Sequence, residues 1–178
     1  MSTFRSINPY NQETIAEYAS HTEADIEQRL AWGHQAYGHL LHTSLQERCD
    51  WMRKLAGLLK TSADMHAAII TREMGKTLKE AKAEVLKCAS SAEYYVDHIT
   101  DMLQPRLITS DAQQSYVSYE PKGIILAIMP WNFPYWQVFR FAIPNLLSGN
   151  TGLLKHASNV SGCALAMEDL FLEAGFPE

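Results

Sequence analysis

Asn132 lies in the loop Pro130-Trp131-Asn132-Phe133-Pro134, directly after the apolar run Ile124-Ile125-Leu126-Ala127-Ile128-Met129. A side-chain amide held in a crevice at a strand end donates two hydrogen bonds, which suits it to steadying a carbonyl oxygen as that oxygen gains charge. An Asn between prolines also closes a turn on its own backbone, and spacing alone favours that plainer role. Lys155 ends a second short run, Thr151 to Lys155. A cation there attracts an anionic ligand, and a lysine at a strand end equally well snorkels into solvent. Arg140 follows Asn132 by eight residues. Its planar fork can hold a carboxylate through two parallel bonds, and an ordinary surface ion pair is an equal reading of the residue by itself.

Other reactive residue types offer less. Cys49, Cys88 and Cys163 are far apart and free of any C-x-x-C pairing, so they mark neither a disulfide framework nor a zinc site. Each falls among apolar residues at helical spacing, as a small buried hydrophobe does. A catalytic thiol needs a histidine or a helix amino terminus to lower its pKa, and none of the three has one nearby in sequence. His21, His34, His39, His42 and His66 scatter along helical stretches in no ligand pattern, and they read as solvated surface. No metal is expected.

The elements that position these residues follow from local rules. Six apolar residues without polar alternation predict a strand buried on both faces, as in parallel sheets. The turn Pro121-Lys122-Gly123 precedes it, Pro130 ends its ladder, and Pro134 presets the first turn of a helix. The Asn132 loop then sits at the carboxyl end of a parallel strand, where open α/β sheets bind ligands. The helix from Pro134 takes Phe139, Ile143, Leu146 and Leu147 as its apolar side and stops at Gly149-Asn150. After the strand Thr151 to Lys155 comes the loop His156-Ala157-Ser158-Asn159. A last helix over 160–174 turns Ala164, Leu170, Phe171 and Ala174 inward and ends at Gly175. This β-α-β-α order is half of a Rossmann-like unit, and two parallel strands need further strands beside them. No G-x-G-x-x-G follows the first strand, so that fingerprint gives no ground for a dinucleotide.

Upstream, two short strands, Phe4 to Ile7 and Thr14 to Ala19, flank the turn Asn8-Pro9-Tyr10-Asn11. Four pairs, Thr22/Asp25, Ser44/Glu47, Thr61/Asp64 and Thr77/Glu80, carry the capping-box spacing and predict four helices before residue 104. The first turns Ile26, Leu30, Tyr37, Leu40 and Leu41 to one side. The last carries a long stripe through Ala81, Val85, Cys88, Ala92, Val96 and Ile99 that must pack on something. Gly75 is placed as the left-handed residue ending the third helix, and Arg72 and Lys76 beside it are explained by the helix dipole. Pro105 closes the helical region. Strands Arg106 to Thr109 and Gln114 to Tyr119 then form a hairpin, which is marginal unless it leans on another surface.

Composition bounds the class. A chain of 178 residues with 47% hydrophobic content builds a real core. No apolar run reaches the roughly 18 residues of a membrane span, and the amino terminus lacks a signal-peptide layout, so a cytoplasmic protein without a membrane partner is expected. The formal net charge of −5 supplies no basic face for nucleic acid.

In combination, Pro130-Trp131-Asn132-Phe133-Pro134, Ala142-Ile143-Pro144, Gly149-Asn150, Leu153-Leu154-Lys155 and Ala174-Gly175-Phe176-Pro177 resemble the amino-terminal part of an NAD(P)-dependent aldehyde dehydrogenase. The resemblance runs from about Ile7 to the last residue. Arg72-Glu73-Met74-Gly75-Lys76 and Leu154-Lys155-His156-Ala157 are most similar to the bacterial succinate-semialdehyde dehydrogenase branch. It implies an incomplete α/β fold: an amino-terminal helical region (1–104), a β-hairpin arm for homo-oligomer assembly (105–120) and the first half of a Rossmann-like parallel sheet (121–178). It also implies NAD or NADP, held by Met129, Pro130, Trp131, Asn132, Lys155, His156, Ala157 and Ser158. Asn132 becomes the catalytic oxyanion donor. Arg140 becomes the partner of the distal carboxylate of a small aldehyde, succinate semialdehyde above all.

Two departures refine the resemblance. Ser158 stands where NAD-preferring members often have Glu, so NADP should be tolerated, and His156 replaces the more usual proline. The family's nucleophilic cysteine and general-base glutamate lie beyond Glu178, so this chain alone is expected to be inactive. The alternative is a non-catalytic piece that binds part of a nucleotide, or one that pairs with full-length subunits through the hairpin and the helix from Thr77.

Overall fold

The computed structural model describes residues 2–178. Its helix starts show how far the capping signals reach. Helices α1 (Glu23–His42) and α2 (Leu45–Thr61) open with reciprocal boxes: Asp25 N donates to Thr22 Oγ1 at 3.2 Å and Thr22 N to Asp25 Oδ2 at 2.8 Å, and Ser44 and Glu47 repeat the arrangement. Helix α4 (Leu78–Met102) has half a box, because the Glu80 carboxylate takes the Thr77 hydroxyl and leaves the Thr77 amide out. The expected box at Thr61 and Asp64 is not formed. Thr61 is the last residue of α2 and its hydroxyl donates back to Gly57 and Leu58, while α3 (Ala63–Met74) starts from Ser62 with no side-chain cap. One residue separates the two helices, so the hydroxyl is already engaged by the preceding turn. Gly75 ends α3 at φ +78° as expected.

Three two-stranded sheets accompany the helices. Strands β1 (Thr3–Ile7) and β2 (Thr14–Ala19) are antiparallel. Strands β3 (Arg106–Leu107) and β4 (Tyr116–Val117) form the hairpin, but with two residues each rather than the longer strands expected. Leu107 is 72% and Tyr116 57% exposed, so no second surface among the described residues extends the ladder. Strands β5 (Ile124–Met129) and β6 (Thr151–His156) are parallel, in register from Ile124↔Thr151 to Met129↔His156. Between them runs α5 (Trp136–Leu147), and a 3₁₀ turn at Ser158–Val160 leads into α6 (Ser161–Ala174). Pro134 lies in the turn ahead of α5 rather than in its first turn.

Expected burial of β5 on both faces is corrected. Ala127 is buried, whereas Leu126 and Ile128 are 58% and 69% exposed. Helix α1 covers only the start of that second face, where Thr151 Oγ1 donates to the Gly33 carbonyl, and nothing described lies over its carboxyl end. The face of α1 is likewise narrower than its apolar spacing indicates: Ala36 and Leu40 are buried, and Ile26 and Leu41 are exposed. The stripe of α4 packs as expected, against α2, α3 and α5. Met52, Leu55 and Leu59 of α2, Val85 of α4 and Phe139 and Ile143 of α5 belong to one contiguous core. Full burial of each such large side chain contributes about 1.5–3 kcal/mol. The helical region and the β-α-β-α unit therefore share a single core.

Candidate functional site

The register of β5 and β6 ends both strands at the same level, Met129 beside His156, so the loops that follow lie side by side. His156 fastens them together. Its Nδ1 accepts from the Ala157 amide at 2.8 Å, which leaves Nε2 to carry the proton and donate to the Pro134 carbonyl at 2.9 Å. Burial depresses the His156 pKa, and the Pro134 carbonyl works against that shift. His156 is thus a neutral clasp between the two loops.

Asn132 is exposed at the tip of the first loop, and among the described residues no hydrogen bond engages its side-chain amide. The turn-closing role is not the one built here, and both amide protons are free to meet a ligand. Its backbone is held: the Asn132 carbonyl accepts from Lys76 Nζ at 3.3 Å, and the same ammonium lies 3.8 Å over the Phe133 ring. Lys76 is ion-paired with Glu84, so it does more than complement the dipole of α3. Glu84 Oε1 in turn accepts from the amides of Tyr135 at 2.9 Å and Trp136 at 3.0 Å, at the start of α5. At the other end of α5, Arg48 Nε donates to the Leu147 carbonyl at 3.0 Å. An acid at the amino end and a base at the carboxyl end both suit the helix dipole.

Arg140 lies on the exposed side of α5 next to buried Phe139, and among the described residues it joins no ion pair. Lys155 is exposed and sits opposite Ile128 on the uncovered face of the sheet. Ser158 is exposed at the start of the 3₁₀ turn, which Ser6 pins by donating to the Asn159 carbonyl at 3.1 Å. The carboxylate beside this segment, Glu73, is fully engaged: Oε1 accepts from Gly162 N at 2.9 Å and Oε2 from Cys163 N at 2.8 Å, capping α6. Trp131, Asn132 and Phe133 are all exposed, so the strand ends form an open platform rather than the crevice expected.

Several of these residues escape a linear reading. Glu84 and Glu73 carry the only signal available in sequence, a carboxylate among apolar helical neighbours that must find partners if buried. His66, read as surface, is buried, with Nδ1 2.7 Å from the Tyr135 hydroxyl and its pKa lowered by burial. Cys49, Cys88 and Cys163 are buried as expected, and burial raises the pKa of each thiol. None offers a thiolate to the platform. Among the described residues no three metal-ligating side chains converge, and no helix is long and apolar enough to cross a membrane.

Comparison with known proteins matches this geometry to one family. The sequence profile of the aldehyde dehydrogenase family matches residues 1–178. A probable NADP-dependent succinate-semialdehyde dehydrogenase of Synechocystis is 45% identical over 173 residues, covering 97% of this chain and 38% of the relative. An aldehyde dehydrogenase of Paenarthrobacter nicotinovorans is 45% identical over 177 residues, with 97% and 39% covered. The crystal structure of succinic semialdehyde dehydrogenase from Streptococcus pyogenes in complex with NADP+ superimposes with a TM-score of 0.93 at 36% identity, covering 97% of this chain and 38% of that one. The chain therefore spans under two-fifths of the length of these relatives.

Proposed function

The chain belongs to the aldehyde dehydrogenase family, and from that premise we propose that a full-length protein carrying it oxidises a carboxylate-bearing aldehyde, succinate semialdehyde first among them, to the acid with NAD or NADP. The observation that carries this reading is the unengaged Asn132 amide at the carboxyl end of a parallel strand, on a loop whose backbone is fastened from behind.

In this reading a thiolate from outside residues 1–178 attacks the aldehyde carbon, and the carbonyl electron pair moves onto oxygen. The Asn132 amide donates to that oxyanion, and its fastened backbone spares reorganisation as charge develops. The platform residues suit a dinucleotide: Met129 to Asn132 border one side and Lys155 to Ser158 the other. When bound, the cofactor would supply the hydride acceptor, and water would then cleave the carbon–sulfur bond, releasing the acid and returning the thiolate. Exposed Lys155 and uncharged Ser158 support tolerance of NADP as well as NAD. Arg140, solvent-facing on the helix that leaves the Asn132 loop, is the candidate for the distal carboxylate.

The same reading divides the chain into a helical region, a hairpin arm and the start of the cofactor domain, and assigns the protein to the cytoplasm, which cell fractionation checks. The exposed apolar residues of the hairpin, Leu107, Ile108, Tyr116, Val117 and Tyr119, support homo-oligomer assembly through that arm. A monomeric mass by light scattering contradicts it. They equally favour the second reading, an inactive piece that pairs with full-length subunits, which the same measurement on a mixture of the two detects.

Asn132→Ala in the full-length enzyme tests the main reading. Loss of one oxyanion donor lowers kcat by about 10²–10³ with cofactor affinity unchanged. An unaltered kcat removes the assignment.

A further inference from the structure

We propose that Glu84 is a positioning residue for Asn132, its buried carboxylate on α4 fixing the loop from which the Asn132 amide reaches the reacting oxygen. The inference rests on the reading of Asn132 given above, and its geometry stands by itself.

Helix α5 has no cap of its own. Its N-cap position is Tyr135, no side chain there bonds the helix start, and its first turn holds no acid. The amides of Tyr135 and Trp136 would be orphaned in a largely buried setting without an acceptor. A local Ser, Thr or Asp would satisfy them and leave the loop free to move with its helix. Here the acceptor comes from another helix, 51 residues away in sequence, so capping and placement become one event.

Both oxygens of Glu84 are engaged. Oε1 takes the two amides and Oε2 takes Lys76 Nζ, with the Glu84 side chain only 2% exposed. A charge buried to that degree is tolerated only when paired and hydrogen-bonded. Lys76 completes the hold through the Asn132 carbonyl and the Phe133 ring. One ion pair therefore grips the loop at residues 132, 133, 135 and 136, on both sides of the loop's bend, and makes no contact with the Asn132 amide. That is the arrangement a donor needs: fixed backbone, free side chain. A misplacement of about 1 Å in such a group costs on the order of 10²-fold in rate.

The test uses two variants with different losses. Glu84→Ala removes the cap and the partner of Lys76; Glu84→Gln keeps an acceptor oxygen for the two amides and loses the charge. In the full-length enzyme Glu84→Ala lowers kcat about 10- to 100-fold with the cofactor KM within about twofold, and Glu84→Gln recovers part of the loss. The double variant Glu84→Gln/Asn132→Ala turns over no more slowly than Asn132→Ala alone, because Glu84 acts through that amide. Multiplicative losses, or equal effects on kcat and cofactor KM, overturn the proposal.

Hydrogen exchange of the 178-residue chain decides the geometric part separately. The Tyr135 and Trp136 amides exchange at least about tenfold faster in Glu84→Ala than in Glu84→Gln, while Gly162 and Cys163 keep their protection. Unchanged exchange at Tyr135 and Trp136 overturns the proposal whatever the kinetics show. If Glu84→Ala does not fold, Glu84→Gln and Lys76→Met carry both arms, each with a smaller loss of kcat and native circular dichroism. An unchanged kcat in Asn132→Ala, by contrast, removes the functional reading and leaves the exchange result to judge Glu84.

Discussion

His156 Nε2 donates to the Pro134 carbonyl across 2.9 Å, and this bond joins the loop after β6 to the loop after β5. It requires a proton on Nε2 and a lone pair on Nδ1, where the Ala157 amide donates. A second proton on the ring breaks the Nδ1 contact. The clasp that aligns the two halves of the proposed cofactor platform is therefore a neutral imidazole.

A pH dependence follows. Burial holds both His156 and His66 below the ordinary histidine value of 6.5. His156 also feels Glu73, which favours its charge, and Lys155, which opposes it; His66 faces the Tyr135 hydroxyl. In the unfolded chain both rings protonate near 6.5, so below that pH the unfolded state binds protons that the folded state refuses. Stability is thus full above 6.5 and declines as pH falls from there toward the lower folded values. The melting temperature of the chain should drop between pH 7.5 and 5, and His66→Gln/His156→Gln should flatten that slope. An equally steep slope in the double variant assigns the effect elsewhere.

Gly162 is a glycine because of Glu73. A Cβ at this position would lie 2.8 Å from Glu73 Oε1 and 3.1 Å from its Cδ. The carboxylate cannot swing aside without losing Gly162 N and Cys163 N. Gly162→Ala should cost about 1–3 kcal/mol in urea unfolding. Gly57, exposed inside α2 with open space where a methyl group would project, gives the opposite sign: Gly57→Ala should add about 0.5–1 kcal/mol. Equal shifts in the two variants contradict the Glu73 contact.

What is legible in the sequence is local. The apolar run 124–129 forms its strand and the boxes at Thr22 and Ser44 start their helices as expected, while Pro134 falls two residues short of the helix it is expected to open. What stays hidden is tertiary. Glu84 caps a helix 51 residues on and Glu73 one 89 residues on, so neither pairing leaves a trace in spacing. His66 occupies a helical position whose burial depends on Tyr135 arriving from α5. The open face at Leu126 and Ile128 escapes for the same reason: a strand records its own apolarity and not what lies over it. Motif and resemblance mark Asn132, Lys155 and Arg140, whereas nothing in the linear pattern marks the residues that hold Asn132 in place.

Cofactor choice should respond to one residue. Ser158 is exposed and uncharged, and Lys155 nearby is free of the six side-chain ion pairs among the described residues. A carboxylate at 158 would repel a 2′-phosphate by roughly 1–4 kcal/mol at about 4 Å, depending on how much water screens the pair. Ser158→Glu in the full-length enzyme should raise the KM for NADP at least about fivefold and leave that for NAD within about twofold. Parallel changes for both cofactors mean that the side chain does not face the 2′ position.

Substrate choice should respond to Arg140, and the geometry gives the reason for a selective effect. The guanidinium projects from the exposed side of α5 while Phe139, next to it, is buried, so truncation at 140 leaves the core and the Glu84 cap untouched. Charge-assisted pairing with a carboxylate is worth about 1.5–3 kcal/mol, or roughly 10- to 150-fold in binding. Arg140→Ala should therefore raise the KM for succinate semialdehyde by about that factor while turnover of uncharged hexanal stays within about twofold. Arg140→Lys should restore only part of the loss, because a point charge on a flexible stem cannot reproduce the planar fork. Equal losses on both aldehydes would show that Arg140 supports α5 and leaves the distal carboxylate to residues beyond this chain.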